Sequence, residues 1–250
     1  MTRQLFDHVA EAYDAARPDY PGELFDTIES ALGQPLLRAR VLDVGAGTGI
    51  ATRAMAGRGA DVVAVDPGPG VLAVLRSRST SRVLPVLGDG DALPLRDGLF
   101  DLVTYAQSFH WTSPSASLPE AARVLHDRGV LAMWWNVLDT DEQWYDEWSR
   151  LARRLSGGVY DRAPHSSVDW AGPTRATGLF RWVSEVDVPW RRPVRVEDFV
   201  TDMSSHSYVS ELGPDDRDRL LDQLRAGLRR DQGDDPVEIR YRTRLVVARR

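Results

Sequence analysis

The fold is decided by the stretch Val41-Leu42-Asp43-Val44-Gly45-Ala46-Gly47-Thr48-Gly49, where an apolar run stops at a turn with glycine at every second position. A β-branched apolar run of this length is typical of a buried strand. Glycine adopts left-handed backbone conformations without strain and lets the main chain approach another group closely. The alanine-rich segment 50–56 follows at once and predicts a helix whose first amide groups face the turn.

A second apolar run, residues 62–65, ends in Asp66. An acidic residue that closes the second strand of a strand–helix–strand unit is placed to accept hydrogen bonds from a ribose diol. The turn and the acid together therefore predict a site for a nucleoside cofactor. A dinucleotide fingerprint, G-x-G-x-x-G, would need its third glycine at position 50, where this chain has Ile50.

The first of these segments resembles a known family motif. Residues 43–49 match E/D-x-G-x-G-x-G, the first motif of class I S-adenosylmethionine-dependent methyltransferases, at every defined position. In that family the motif wraps the methionine and ribose parts of the cofactor. The cofactor contacts that the resemblance implies in the two segments are Asp43, Gly45, Ala46, Gly47, Asp66 and Pro67.

The loop after the third predicted strand, Gly88-Asp89-Gly90-Asp91-Ala92-Leu93-Pro94-Leu95, is similar to the family's D-A-x-x-L-P-F segment. In the family the first acid of this loop meets the adenine amino group, and the next backbone N–H meets the ring. The resemblance implies the acidic role for Asp89 and the backbone role for Gly90. Asp91 is an alternative, because two acids lie in the loop.

The fourth predicted strand leads into Tyr105-Ala106-Gln107-Ser108-Phe109-His110-Trp111, and doubly wound folds bind ligands at the carboxyl ends of their strands. The string Q-S-x-H-W and the pattern over residues 6–21 resemble the branch with trans-aconitate and ubiquinone-biosynthesis-type methyltransferases. This resemblance implies that Gln107 and Tyr13 approach the cofactor. His110 is the best candidate for a general base, and its alternative role is to shape the loop through a backbone hydrogen bond.

Acceptor contacts are expected in the N-terminal helix, in the loop after strand four, at the end of strand five and in a later insert. Trp134 and Trp135 are neighbours in a predicted strand, so their side chains face opposite sides of the sheet. We expect one to pack under a helix and the other to face the pocket. The tryptophan-rich second half of the chain favours a planar or hydrophobic acceptor, and ordinary core packing is the alternative. The predicted acceptor contacts are Trp111, Trp135, Asn136, His165, His206 and Tyr208.

Helical and strand patterns alternate along the chain, which predicts a parallel α/β sheet. Together with the resemblance, this gives a Rossmann-like, doubly wound, seven-stranded and mostly parallel sheet with an antiparallel last strand. The predicted helices are 24–32, 50–58, 69–78, 116–126, 141–155 and 196–230, the last with a break at Gly213-Pro214. The predicted strands are 40–44, 61–65, 83–87, 100–105, 129–136, 183–188 and 238–247.

We predict a single domain over residues 1–250, with no internal repeat and no low-complexity linker. Its core spans about 35–137 and 178–250. A helical lid over the substrate pocket is predicted from the amino-terminal helices, 1–34, and from an insert formed by 138–177 together with 196–230.

The composition excludes several classes of function. The 250-residue chain has no cysteine, so it has no disulfide and no thiolate chemistry, and its formal charge of −6 offers no basic field for nucleic acid. No apolar run reaches the roughly 18 residues that cross a bilayer, and the amino terminus lacks a signal-peptide core. We therefore expect a cytoplasmic protein without a membrane partner, monomeric or homodimeric. The five histidines show no metal-site spacing, so no metal is expected.

The predicted function is methyl transfer from S-adenosylmethionine to an oxygen or nitrogen of a small-molecule acceptor. All basic residues are arginine, which is compatible with secondary metabolism. Three alternatives stay open: a C-methyltransferase of a quinone-type or aromatic substrate, an NAD(P)-dependent oxidoreductase, and a non-catalytic subunit that binds S-adenosylmethionine. The second lacks the third glycine of its fingerprint, and the third is expected to show losses at Gly45, Gly47 or Asp66, which are intact.

Overall fold

The computed structural model describes residues 18–139, 141–162, 169–233 and 235–250. Tyr13 and His165 lie outside these ranges, so their roles stay predictions. The strands are β1 Arg40–Val44, β2 Asp61–Asp66, β3 Val83–Leu87, β4 Phe100–Ala106, β5 Leu125–Leu138, β6 Trp182–Val194 and β7 Val237–Arg249. The helices are α1 Gly22–Leu32, α2 Ile50–Gly57, α3 Pro69–Arg78, α4 Pro114–Val124, α5 Gln143–Leu155, α6 Val159–Arg162, α7 Ala171–Ala176, α8 Val196–Ser204, α9 Ser207–Ser210 and α10 Pro214–Gln232, with a 3₁₀ turn at Phe109–Trp111.

The described strands form one sheet in the order β3-β2-β1-β4-β5-β7-β6. Strands β1 to β5 are parallel, and β7 is antiparallel to both of its neighbours, β5 and β6. The predicted mostly parallel seven-stranded sheet with a reversed last strand is therefore confirmed. The strand order changes direction between β1 and β4, which is the point where folds of this kind open a crevice for a ligand.

Helices cover both faces of the sheet, which is why its central strands are apolar on both sides. Leu42 of β1 faces one side and packs in a buried cluster with Leu118 of α4. Val41 faces the other side and packs in a second cluster with Leu24 of α1 and Met55 of α2. This two-sided burial fixes the register of β1 and hence the position of the glycine turn that follows it.

The boundary between α4 and β5 differs from the prediction. The helix predicted over 116–126 ends at Val124, because Leu125 already has extended backbone (φ −70°, ψ 139°) and starts β5. Leu125 pairs with Phe100, and the register then shifts before Val130 pairs with Leu102. Residues 126–128 are polar, so no alternation of apolar residues marked this first part of the strand.

The predicted lid region contains a helical cluster of its own. Helices α5, α8 and α10 share a buried apolar cluster with the far ends of β6 and β7. Helix α10 comes closest to α5 at Gly227, where a Cβ atom would lie 2.7 Å from the Cβ of Trp144. The region predicted as one helix with a single break is interrupted twice, at 205–206 and at 211–213. Its closure over a substrate pocket stays a prediction. No helix in the described ranges combines the length and apolarity needed to cross a membrane.

Candidate cofactor and acceptor site

The turn after β1 is fixed by backbone contacts at Gly45 and Ala46, and it has open space at Gly47. The backbone N–H groups of Gly45 and Ala46 donate to the carbonyl of Val65, at 2.8 and 3.1 Å. Gly45 has a left-handed φ of 68°, and a Cβ atom on it would lie 2.5 Å from the Cβ of Ser108. Gly47 is also left-handed (φ 56°), but a Cβ atom on it would meet nothing within 4 Å. The turn therefore presents open backbone at Gly47, where a ligand fits.

Asp66 links this turn to the next loop. Its carboxylate accepts the N–H of Gly47 at 2.9 Å through one oxygen and the N–H of Gly68 at 2.8 Å through the other. These two bonds fix the side chain beside the open face of the turn. Pro67, between these residues, is exposed.

Asp43 lies beneath the turn and is fully buried. Thr52 donates to one carboxylate oxygen at 2.5 Å, and Thr104 donates to the other at 2.8 Å. Burial raises the pKa of Asp43 to about 6; the two hydroxyl donors oppose this shift, and the charge of Asp66 adds to it. Asp43 therefore ties β1 to α2 and β4. Its contact with the cofactor stays a prediction. Its bonds to Thr52 and Thr104 support the turn from within the core.

The two acids in the loop after β3, Asp89 and Asp91, have different hydrogen-bond partners. Both carboxylate oxygens of Asp91 accept the backbone N–H of Ser113, at 2.9 and 3.1 Å, just before α4 begins. Asp89 is exposed and accepts the N–H of Asp91 at 3.0 Å through one oxygen. Asp91 thus supports the start of a helix, which favours Asp89 for the predicted contact with adenine. Gly90, between them, is buried.

The segment after β4 bridges the cofactor turn and β5. Gln107 has a left-handed backbone (φ 58°), which is uncommon for a residue with a side chain, and its N–H donates to the carbonyl of Trp134 at 2.9 Å. The buried hydroxyl of Ser108 donates to the carbonyl of Val44 at 2.5 Å. Strained backbone of this kind concentrates at functional sites. Sequence reasoning identified Gln107 and missed Ser108, whose role depends on its contact with the turn.

His110 is bound by an indole. The Nε1–H of Trp135 donates to Nδ1 of His110 at 3.2 Å. An indole nitrogen only donates, so Nδ1 must be unprotonated, and the neutral imidazole carries its proton on Nε2. A general base at Nδ1 would have to give up this bond. Trp111 is 42% exposed and lies beside the same imidazole, with ring centroids 4.9 Å apart.

The two neighbouring tryptophans face opposite sides of the sheet, as predicted. Trp134 packs edge-on against Tyr20, with centroids 5.6 Å apart, in the cluster that holds α1. Trp135 lies in the other cluster and stacks on Trp170 at 5.3 Å with an interplanar angle of 13°. Trp170 immediately precedes α7, and the sequence predicted it only as one of several tryptophans that favour a planar acceptor. Trp135 is 3% exposed, so Trp170 is the more exposed member of the stack.

The other predicted acceptor contacts fall in two places. Asn136 lies at the end of β5, and its Oδ1 accepts the hydroxyl of Thr243 at 2.6 Å. Nδ1 of His206 lies 2.8 Å from the hydroxyl of Tyr208, which is buried in the helical cluster of the lid region. That cluster is separate from the one that holds Trp135. The fold therefore groups Asn136 and Trp135 at one strand end, and the acceptor roles of His206 and Tyr208 stay predictions.

Comparison with known proteins identifies the family. The model of a methyltransferase domain matches residues 42–133. An uncharacterised methyltransferase of Mycobacterium tuberculosis is 34% identical over 220 residues, which cover 88% of this chain and 84% of that protein. The chain belongs to the class I S-adenosylmethionine-dependent methyltransferases. This membership favours the methyltransferase interpretation of the glycine turn over the dinucleotide one.

One further relative and one solved structure are also similar to this methyltransferase. The demethylmenaquinone methyltransferase of a Parafrankia strain is 37% identical over 152 residues, which cover 52% of this chain and 60% of that protein. The structure of a Haemonchus contortus phosphoethanolamine N-methyltransferase with S-adenosylmethionine aligns with a TM-score of 0.59 and 16% identity, covering 100% of this chain and 60% of that one. The second similarity extends the shared methyltransferase fold over this whole chain.

Proposed function

We propose that this methyltransferase transfers the methyl group of S-adenosylmethionine to an oxygen or nitrogen of a small-molecule acceptor. One observation carries the proposal: open left-handed backbone at Gly47 lies beside the fixed carboxylate of Asp66, at the point where the strand order reverses. Backbone that can approach a ligand and an acid beside it suit the ribose of a nucleoside cofactor. We further expect the protein to act in the cytoplasm, as a monomer or homodimer and without nucleic acid.

We propose that different residues around the turn contact different parts of the cofactor. In our proposal Asp66 accepts the ribose hydroxyls, with Gly45, Ala46, Gly47 and Pro67 forming the adjoining surface. Asp89 and the N–H of Gly90 meet the adenine, and Gln107 approaches the methionine part. Asp43 shapes the turn through Thr52 and Thr104.

The main task of the protein in this reaction is to position the acceptor. The bound cofactor supplies a methyl group already activated on a sulfonium. The chain has to hold the acceptor in line with that group and exclude water, and orientation of this kind contributes roughly 7–11 kcal/mol in favourable intramolecular reactions. In our proposal the partly exposed Trp170, stacked on the buried Trp135, is a planar wall for the acceptor at the end of β5. A base is needed only if the acceptor atom carries a proton, and His110 takes that role by releasing its bond to Trp135.

A second candidate is methylation at carbon of a quinone-type or aromatic acceptor. The same tryptophan wall suits a flat ring, and the named Parafrankia relative is a demethylmenaquinone methyltransferase. The product distinguishes the two candidates. A methyl group on oxygen or nitrogen and one on ring carbon give different proton and carbon chemical shifts by NMR.

The cofactor assignment is tested by calorimetric titration of the whole chain with S-adenosylmethionine, S-adenosylhomocysteine and NADH. We expect binding of the first two and no heat from NADH. Binding of NADH alone would overturn the proposal. Binding of S-adenosylmethionine without transfer to any acceptor in a panel of phenols, carboxylates, amines and quinones would favour the non-catalytic subunit.

A further inference from the structure

A chain of hydrogen bonds fixes the side-chain amide of Asn136. Thr243 is fully buried; its hydroxyl accepts the indole N–H of Trp190 at 2.9 Å and lies 2.6 Å from Oδ1 of Asn136. The indole N–H occupies one lone pair of this hydroxyl, and the hydroxyl proton is directed at Oδ1. The amide lies with its oxygen toward Thr243 and its NH₂ group on the other side.

That NH₂ group is a buried donor without a partner among the described residues. The indole N–H of Trp134, two residues earlier in β5, is a second one. Residues two apart in a strand share a face, so both donors lie on the same side of β5. Buried donors are nearly always hydrogen-bonded, so two of them on one face of the same strand indicate a place for an acceptor from outside the described chain.

The place of Asn136 in the sheet gives a ligand access to it. Strand β4 ends at Ala106, which pairs with Trp134, and Gln107 then turns away with left-handed backbone. Asn136 lies beyond this last pair of β4 and β5, while Thr243 of β7 still flanks it on the other side. Strand β4 therefore does not flank Asn136 at the carboxyl edge of the sheet, where the candidate site lies.

We propose that Nδ2 of Asn136, with the indole N–H of Trp134 beside it, binds a carbonyl or carboxylate oxygen of the methyl acceptor. The inference rests on the proposed methyl transfer and adds the class of acceptor: a molecule that presents such an oxygen on a flat apolar body. An aromatic neighbour for that body lies on the same face, where Trp190 stacks on Tyr241 at 4.6 Å. Trp190 and Thr243 are positioning residues, since they act through the Asn136 amide.

The test records the ¹⁵N-labelled side-chain amide signals of the full chain loaded with S-adenosylhomocysteine. The Asn136 signals are assigned by their loss in Asn136→Leu. Three matched probes are added in turn: benzoate, benzamide and benzylamine. We expect benzoate or benzamide to shift the Asn136 NH₂ signals and benzylamine, which has no oxygen, to leave them unchanged. A shift from benzoate alone selects a carboxylate, and a shift from benzamide selects a neutral carbonyl.

Three variants separate donation from simple packing. Asn136→Asp keeps the acceptor for Thr243 and removes the donor, so we expect benzamide to bind about tenfold more weakly, or about 1.4 kcal/mol. Thr243→Val should reproduce part of this loss, and Thr243→Ser, which keeps the hydroxyl, should restore binding. Affinity for S-adenosylhomocysteine should be unchanged in all three.

Three results would overturn the inference: no shift with either oxygen probe at saturation, an equal shift with benzylamine, or a shift caused by S-adenosylhomocysteine alone. The last would assign the amide to the cofactor. Failure of S-adenosylhomocysteine to bind the unaltered chain in calorimetry would instead remove the proposed function, so the two failures are distinguishable.

Discussion

The indole N–H of Trp135 donates to Nδ1 of His110 at 3.2 Å, and this bond sets which imidazole nitrogen carries the proton. The two residues come from neighbouring strand ends, since Trp135 belongs to β5 and His110 follows β4. The bond therefore holds the loop after β4 against β5. The Nε2 edge of the ring therefore carries an N–H group, so it donates a hydrogen bond to a methyl acceptor and cannot take a proton from it.

We predict that Trp135→Phe removes the preference of His110 for the Nε2–H tautomer. The phenyl ring keeps most of the packing against Trp170 but has no N–H to donate to Nδ1. Long-range ¹H–¹⁵N spectra of the histidine rings measure the tautomer directly. In the unaltered chain, Nδ1 should resonate as an unprotonated nitrogen, and in the variant the two nitrogens should move toward a mixture.

Trp134→Phe is the matched control, because Trp134 lies on the opposite face of β5 and should leave His110 unaffected. A protonated Nδ1 in the unaltered chain would contradict the assignment.

A second prediction contrasts two glycines of one turn. Gly45→Ala should destabilise the fold by about 2–4 kcal/mol, because it combines left-handed backbone, which costs about 1–2 kcal/mol, with a Cβ 2.5 Å from that of Ser108. Gly47→Ala has the backbone cost alone, because a Cβ atom at position 47 would enter open space. Its loss of stability should therefore be smaller than that of Gly45→Ala. Its methyl group would stand in the space proposed for the cofactor, so binding should fall more than stability.

Urea unfolding and calorimetric titration of both variants measure the two effects. Ser108→Gly by itself removes the hydroxyl bond to Val44, so it serves as the reference: in that background Gly45→Ala should cost only the backbone part. Equal loss of stability in the two single variants would show that the Gly45–Ser108 contact is not the cause.

The sequence predicted features that depend on local pattern. The glycine spacing and the acid at the end of β2 predict a cofactor turn, because a short strand, a turn and a helix contain the whole signal. The bonds that complete the site join distant positions: Ser108 to Val44, 64 residues apart, and Thr243 to Asn136, 107 apart. These depend on the register of paired strands, which no local sequence pattern reveals. The stack of Trp170 on Trp135 was not predicted for the same reason.

A third prediction concerns Asp66. Asp66→Ala should weaken binding of S-adenosylmethionine by about 2–4 kcal/mol, the value of a pair of charge-assisted hydrogen bonds, because the variant loses the proposed contact with the ribose. The side chain also holds the N–H of Gly47, so part of the loss reflects a less ordered turn. Calorimetric titration measures the affinity.

Asp61→Ala is the control, because Asp61 begins the same strand and forms an ion pair with Arg82 at 2.8 Å on exposed surface. Its affinity for the cofactor should match that of the unaltered chain. Unchanged affinity in Asp66→Ala would remove Asp66 from the site.

The last prediction follows from the buried carboxyl of Asp43, whose pKa is raised by burial from 3.8 to about 6. Because the folded state binds this proton more tightly than the unfolded state, Asp43 favours folding at low pH, and that contribution is lost as pH rises from about 4 to 6. The shift is about two units at about 1.4 kcal/mol each, so the loss is about 3 kcal/mol. Asp43→Asn removes the titration and keeps the size of the side chain.

Urea unfolding of both proteins from pH 4 to 7.5 gives the difference in their free energies of unfolding, in which the other carboxyl groups cancel. That difference should change in favour of Asp43→Asn by about 3 kcal/mol as the pH rises from 4 to 7, and then level off. A flat difference would mean that Thr52 and Thr104 stabilise the carboxylate enough to offset its burial. Asp43 would then be charged at every pH at which the turn binds its ligand.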